Sequence, residues 1–198
     1  MSWLFHRKTR RLATAFGALG LIAALAGCST NRATGEDSFT AFMSPEQEKQ
    51  VGAEEHPKIV REFGGDYDEK DLQSYVTEIG NKLVAVSEAP DEKFTFTVLD
   101  SQVINAFALP GGYVYITRGL AGLASNEAEL AGVLAHEIGH VVARHSAQRY
   151  SRGVLTQILA GGLSAALGSG AGDIVGAGAN AYLKSFSREH EFEADMLG

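Results

Sequence analysis

Asn126-Glu127-Ala128-Glu129-Leu130-Ala131-Gly132-Val133-Leu134-Ala135-His136-Glu137-Ile138-Gly139-His140 decides how this chain folds and what chemistry it can carry. Asn126 is a helix cap with Glu129 three residues later, and Leu130, Val133, Leu134, Ile138, Val141 and Val142 make a broad apolar face. The spacing predicts a long, mostly buried helix from Asn126 to about Tyr150. Within it His136 and His140 are four apart, so their imidazoles stand one turn apart on one face and can reach a single ion. Glu137 is displaced about 100° around the helix, off the ligand line but within reach of a water held by that ion. That is the place for a general base. A buried helix carries two histidines and a glutamate at a cost unless a partner compensates them; the plainer alternative is a pair of core histidines satisfied by hydrogen bonds. Gly139 leaves the site uncrowded, and a packing role accounts for it equally well.

A catalytic zinc takes three protein ligands and keeps one position open, so a further donor must come from elsewhere. His6 lies in the basic start of the chain, His56 is distant and next to Pro57, and His145, five residues after His140, is displaced around the predicted helix from both histidines. What remains is Ser187-Arg188-Glu189-His190-Glu191-Phe192-Glu193-Ala194-Asp195, four acids and a histidine on a helix predicted to start near Phe186. Glu191 and Asp195 share a face there. One can bind the metal while the other fixes an imidazole, and His190 stays open as an alternative donor.

Outward from the motif, Ser44-Pro45-Glu46-Gln47 combines an N-cap serine, proline at the first helical position and Gln three residues after the cap. A helix is expected to about Phe63, where Gly64-Gly65 stops it unless Pro57 breaks it first. Leu72, Tyr75, Val76, Ile79 and Leu83 predict a second helix from about Glu69 to Val86. Between Lys93 and Thr117 the period changes to two: Phe94, Phe96 and Val98 alternate with Thr95, Thr97 and Leu99, and Gly111-Gly112 precedes Tyr113 to Thr117. Residues 154–172 carry no charge and are rich in glycine, serine and alanine, a composition for close helix packing or lipid contact. No internal repeat is present. The expected class is α+β, mainly helical, with a small sheet beside the motif helix.

At 198 residues, 45% of them hydrophobic and 21% charged, the chain suits one domain plus a short attachment segment. Arg7, Lys8, Arg10 and Arg11 precede an uncharged run from Leu12 to Gly27, the layout of a secretory signal. The run ends at Cys28, the single cysteine, which excludes disulfides. Leu25-Ala26-Gly27-Cys28 resembles the bacterial lipobox, which implies cleavage before Cys28 and a lipid on it; Ser29 rather than Asp is compatible with transfer to the outer membrane. Loss of residues 1–27 removes four positive charges and no negative one, so the net charge moves from −7 to −11. Such a surface argues against nucleic acid. The polar Asn31 to Thr40 stretch is expected to be a tether, giving a signal peptide over 1–27, a lipidated tether over 28–43 and a metalloprotease domain over 44–198.

The HExxH pattern followed by Ser187-Arg188-x-x-Glu191-Phe192-x-Ala194-Asp195 resembles the membrane-linked zinc metalloproteases of the HtpX, BepA and Ste type. Ser44 to Glu48 and Asn105-Ala106-Phe107-Ala108-Leu109-Pro110-Gly111-Gly112-Tyr113 are similar to its periplasmic lipoprotein branch, so the likeness spans residues 42–198. It implies a gluzincin-like fold and one Zn2+ per chain, with Glu191 as third ligand and Asp195 as the carboxylate behind a ligand. Glu189 and Glu193 then fall off that face as solvated charges. By the same resemblance the strand after the Pro-Gly-Gly turn borders the cleft, so Asn105, Ala106, Gly111 and Gly112 would meet an extended substrate; an ordinary hairpin explains the glycines as well. Family members usually continue further, so the chain is expected to be truncated at its C-terminus, and the oxyanion-stabilising group has no candidate. The implied function is zinc metalloendopeptidase activity on misfolded envelope proteins, in a periplasmic lipoprotein attached to the outer membrane. The rivals are a noncatalytic lipoprotein chaperone or scaffold with a structural zinc, and a zinc hydrolase acting on another amide. Oligomeric state is not specified by the sequence.

Overall fold

The computed structural model describes residues 28–31, 34–166 and 185–198. In chain order these form Cys28–Thr30 (β1), Asp37–Phe39 (β2), Pro45–Glu62 (α1), Lys70–Val86 (α2), Thr95–Leu99 (β3), Ala106–Leu109 (β4) and Tyr113–Thr117 (β5). Arg118–Ala121 (α3), Glu127–Val142 (α4), His145–Ala166 (α5) and Arg188–Leu197 (α6) follow. The class is α+β and mainly helical, as the sequence predicts.

Alternation along the strands builds the core. The three-stranded sheet has the order β3-β5-β4, with β3 parallel and β4 antiparallel to β5. One set of side chains, Phe96, Val98, Ala108, Val114 and Ile116, packs with Val76, Ile79 and Val84 of α2 and Leu130, Leu134 and Ile138 of α4. The alternate set, Leu99, Phe107, Leu109 and Tyr115, packs with Ile59 of α1. The sheet is therefore a middle layer with α2 and α4 on one face and α1 on the other, and each strand buries both sides. Leu134 is fully buried, and cutting such a side chain to alanine costs about 2–5 kcal/mol.

Local signals set the ends. Ser44 caps α1 with a complete capping box to Gln47, and Pro57 sits inside the helix without ending it. Gly64 and Gly65 stop α1 at positive φ (93° and 99°). Gly111 and Gly112 make the β4–β5 turn, also at positive φ (82° and 91°). A Cβ on Gly111 would lie 2.7 Å from the Lys49 Cα, and one on Gly112 would lie 2.3 Å from the Lys93 carbonyl oxygen. The turn is thus pressed onto α1 and the approach to β3.

Two expectations are corrected. The motif helix does not continue to Tyr150: it ends at Val142, Arg144 adopts a left-handed φ of 57°, and α5 restarts at His145. A left-handed non-glycine residue costs roughly 1–2 kcal/mol. Here the Arg144 guanidinium donates to Glu48 Oε2 (2.7 Å) and to the Met43 carbonyl (2.8 Å), contacts that offset the cost. The Asn31 to Thr40 stretch is not a loose tether either. Its β1–β2 hairpin pairs Cys28 with Phe39, Asn31, Ser38 and Thr40 are buried, and the Phe42 N–H donates to Ser151 Oγ on α5. Among the described residues no helix is long and apolar enough to cross a membrane. The signal-like segment 1–27 and the part of the uncharged stretch 154–172 beyond Ala166 lie outside the described residues.

Gly112→Ala should lower stability by about 2 kcal/mol or more in urea unfolding, because it adds both a disfavoured φ and a backbone collision. Gly132→Ala, on the exposed face of α4 with nothing within 4 Å of the new Cβ, should raise it by about 0.5–1 kcal/mol.

Candidate metal centre

The centre is made where α6 crosses α4. Gly139 lets the α6 backbone come close: a Cβ there would lie 2.9 Å from the Ala194 carbonyl oxygen and 3.2 Å from the Ala194 Cα. At the end of α6, a Cβ on Gly198 would meet the Ala135–His136 peptide at 2.6–2.7 Å. The packing reading of Gly139 is therefore sufficient on its own. The close crossing places Glu191 and Asp195, one turn apart on α6, against His136 and His140, one turn apart on α4. Ser187 caps α6 by accepting from the His190 N–H.

His136 Nε2 and His140 Nε2 lie 3.0 Å apart, and Glu191 Oε2 is 3.4 Å from the first and 3.9 Å from the second. A tetrahedral ion with bonds near 2.1 Å holds its donors about 3.3–3.4 Å apart, so the three atoms have the spacing of such a site. These three are a group that could hold a metal, and among the described residues no other His, Cys, Asp or Glu joins it. The far side of the His136 ring is fixed too: Nδ1 is 2.8 Å from Asp195 Oδ1. A carboxylate only accepts, so the proton sits on Nδ1 and the Nε2 lone pair is free for a cation.

Glu137 is buried on the same helix, and burial pushes its carboxyl up to about 7, with the Glu191 charge adding to the effect and His136 opposing it. His140 is 4% exposed, and burial, with His145 and His136 beside it, pushes it down to about 3. The His140 imidazole is therefore a neutral donor. Phe186 stacks on the His140 ring at 4.1 Å, and the Arg149 guanidinium lies over the Phe186 ring at 4.2 Å.

Two further side chains belong here that the sequence reading set aside. His145 is fully buried, not displaced from the pair: its Nδ1 is 2.8 Å from His140 Nδ1 and its Nε2 is 3.1 Å from Glu193 Oε2. Glu193 is accordingly not a solvated charge, since its other oxygen accepts from Asn31 Nδ2 at 2.7 Å. The cause of the misreading is Arg144, which turns the chain so that His145 returns beneath His140. Glu189 is exposed, as expected. His190 stacks on His145 at 4.3 Å and is not part of the donor group.

The remaining expected residues lie on the hairpin beside α4. Asn105 is tied by its backbone to Thr117, and Ala106 opens β4. β4 is an edge strand whose outer side has no strand partner among the described residues. Gly111 and Gly112 hold the turn at its far end.

The pattern of Peptidase family M48 matches residues 70–198. The chain is 37% identical over 137 residues to the "Beta-barrel assembly-enhancing protease" of Yersinia pestis, covering 64% of this chain and 28% of that protein. The protein of the same name from Escherichia coli K12 is 34% identical over the same shares. It is 33% identical over 160 residues to the "Mitochondrial metalloendopeptidase OMA1" of Schizosaccharomyces pombe, covering 76% of this chain and 45% of that one. The chain thus spans less than half the length of the curated relatives it matches. The family pattern takes in α2, the sheet, the HExxH helix and the Glu191 helix together, and the chain belongs to the M48 family of peptidases.

Proposed function

We propose that the chain is a zinc-dependent metalloendopeptidase in which His136, His140 and Glu191 hold the ion. The observation that carries the proposal is the convergence of three donor atoms at tetrahedral spacing on the HExxH helix, with the third from a separate helix. Three protein donors leave one coordination position, the pattern of a catalytic site; structural zinc sites are usually closed by four. That favours catalysis over a chaperone or scaffold with structural zinc. Zinc held there would lower the pKa of a water toward about 7 and polarise the scissile carbonyl.

Glu137 takes the proton of the attacking water and returns it to the leaving amine. Asp195 keeps the His136 ring oriented. The outer edge of β4, from Asn105 and Ala106, takes the substrate as an added strand, and Gly111 and Gly112 shape the turn that supports it. The substrates are polypeptides, proposed to be misfolded proteins of the bacterial envelope. Support comes from the names of the Yersinia pestis and Escherichia coli relatives, which refer to β-barrel assembly. A lipid on Cys28 after removal of 1–27 would hold the enzyme at the periplasmic side of a membrane, proposed to be the outer one.

The purified chain should cleave casein with zinc and stop with a chelator. Glu137→Gln should keep one zinc per chain and lose about 10²–10⁴-fold in kcat/KM; full activity in that variant would overturn the assignment of the base. Glu191→Ala should lose the metal by atomic absorption, and an unchanged zinc content would show that another residue is the third ligand. Because Glu137 works as the carboxylate, kcat/KM should rise with pH through an acid limb. Burial, opposed by His136 and helped by Glu191, sets that limb near 7, and a bound cation moves it lower; a kcat/KM that does not fall toward acid pH while zinc stays bound would count against Glu137.

A further inference from the structure

The hydrogen-bonded line from Asn31 to His140 has a direction, and it can be read from its outer end. Glu193 offers only acceptor oxygens when ionised. Oε1 takes the Asn31 amide N–H at 2.7 Å, and Oε2 faces His145 Nε2 at 3.1 Å. For that contact to be a hydrogen bond, His145 Nε2 must carry the proton. A neutral His145 then has a bare Nδ1, which can only accept from its neighbour 2.8 Å away, His140 Nδ1. His140 must therefore hold its proton on Nδ1. Its lone pair is left on Nε2, the atom facing His136 and Glu191. The reverse tautomers would set a bare Nε2 of His145 against a carboxylate and put a proton where the metal is to bind.

We propose that His145 and Glu193 are positioning residues that fix the ligand tautomer of His140, with Asn31 holding Glu193 in place. The two metal-binding imidazoles are then oriented by different routes. His136 is backed directly by Asp195 on α6, whereas His140 is backed through a second histidine by a carboxylate on the other side of the same helix. His145 is completely buried, so no solvent competes for its nitrogens. Asn31 belongs to the segment that begins at Cys28, so the N-terminal hairpin contributes to holding a ligand of the centre. This inference rests on the zinc reading of the site.

Long-range 1H–15N spectra of the metal-free chain test the tautomers without any substitution. His140 should appear as the Nδ1–H form and His145 as the Nε2–H form; any other pair overturns the proposal. Zinc affinity, measured by competition with a chromogenic chelator, tests the positioning role. Glu193→Ala should weaken zinc about 10–100-fold and mix the His140 tautomers. Glu193→Gln, which keeps an acceptor oxygen, should recover most of the affinity. Asn31→Ala should fall between wild type and Glu193→Ala, and the exposed Glu189→Ala should match wild type. If wild type itself fails to bind zinc, the metal reading falls. If wild type binds zinc and a folded Glu193→Ala binds it equally well, only the positioning proposal falls.

Discussion

The approach of the α6 backbone to Gly139 is the constraint on which the centre depends. Helix axes usually pack 8–10 Å apart, the distance set by the side chains between them. Here Gly139, Ala194 and Gly198 remove those side chains at the crossing. A short carboxylate on α6 can then reach imidazoles on α4. Any side chain at 139 would push α6 outward and carry Glu191 and Asp195 with it. Glycine is a poor helix residue, costing about 1 kcal/mol relative to alanine, and its place in the motif is explained by what it lets in.

The second feature is the concentration of polar groups in a nearly dry space. Glu137, His140, His145 and His190 are all buried within two turns of one another or of the crossing. Unpaired, each would cost free energy. Two are linked, His140 to His145 and His145 through Glu193 to Asn31, while both ring nitrogens of His190 have no hydrogen-bond partner among the described residues. The Glu137 carboxyl is pushed up to about 7, chiefly by burial. The proposed base is thus held near 7 while the buried His140 is kept neutral.

The sequence made some of this legible and hid the rest for identifiable reasons. Four-residue spacing announced His136 with His140 and Glu191 with Asp195, because helical periodicity is a local property. Period-two alternation located β3 and β5, and paired glycines located the turns. The break at Arg144 carried no local sign: no glycine or proline marks it, and its left-handed conformation depends on Glu48 and Met43, 96 and 101 residues earlier. Missing that turn placed His145 on the wrong face and left Glu193 without a partner. The tether was misread for the same kind of reason, since a three-residue strand is too short for periodicity to show.

The docked hairpin also sets a leash length. Cys28 lies within β1, opposite Phe39, and Asn31, about 10 Å further along an extended chain, is already bonded to Glu193. A lipid on Cys28 would have almost no slack between bilayer and domain. The domain could neither swing freely nor explore the depth of the compartment. Its cleft would stand at a nearly fixed height and tilt above the membrane, and would meet chains emerging at that surface before those diffusing in bulk.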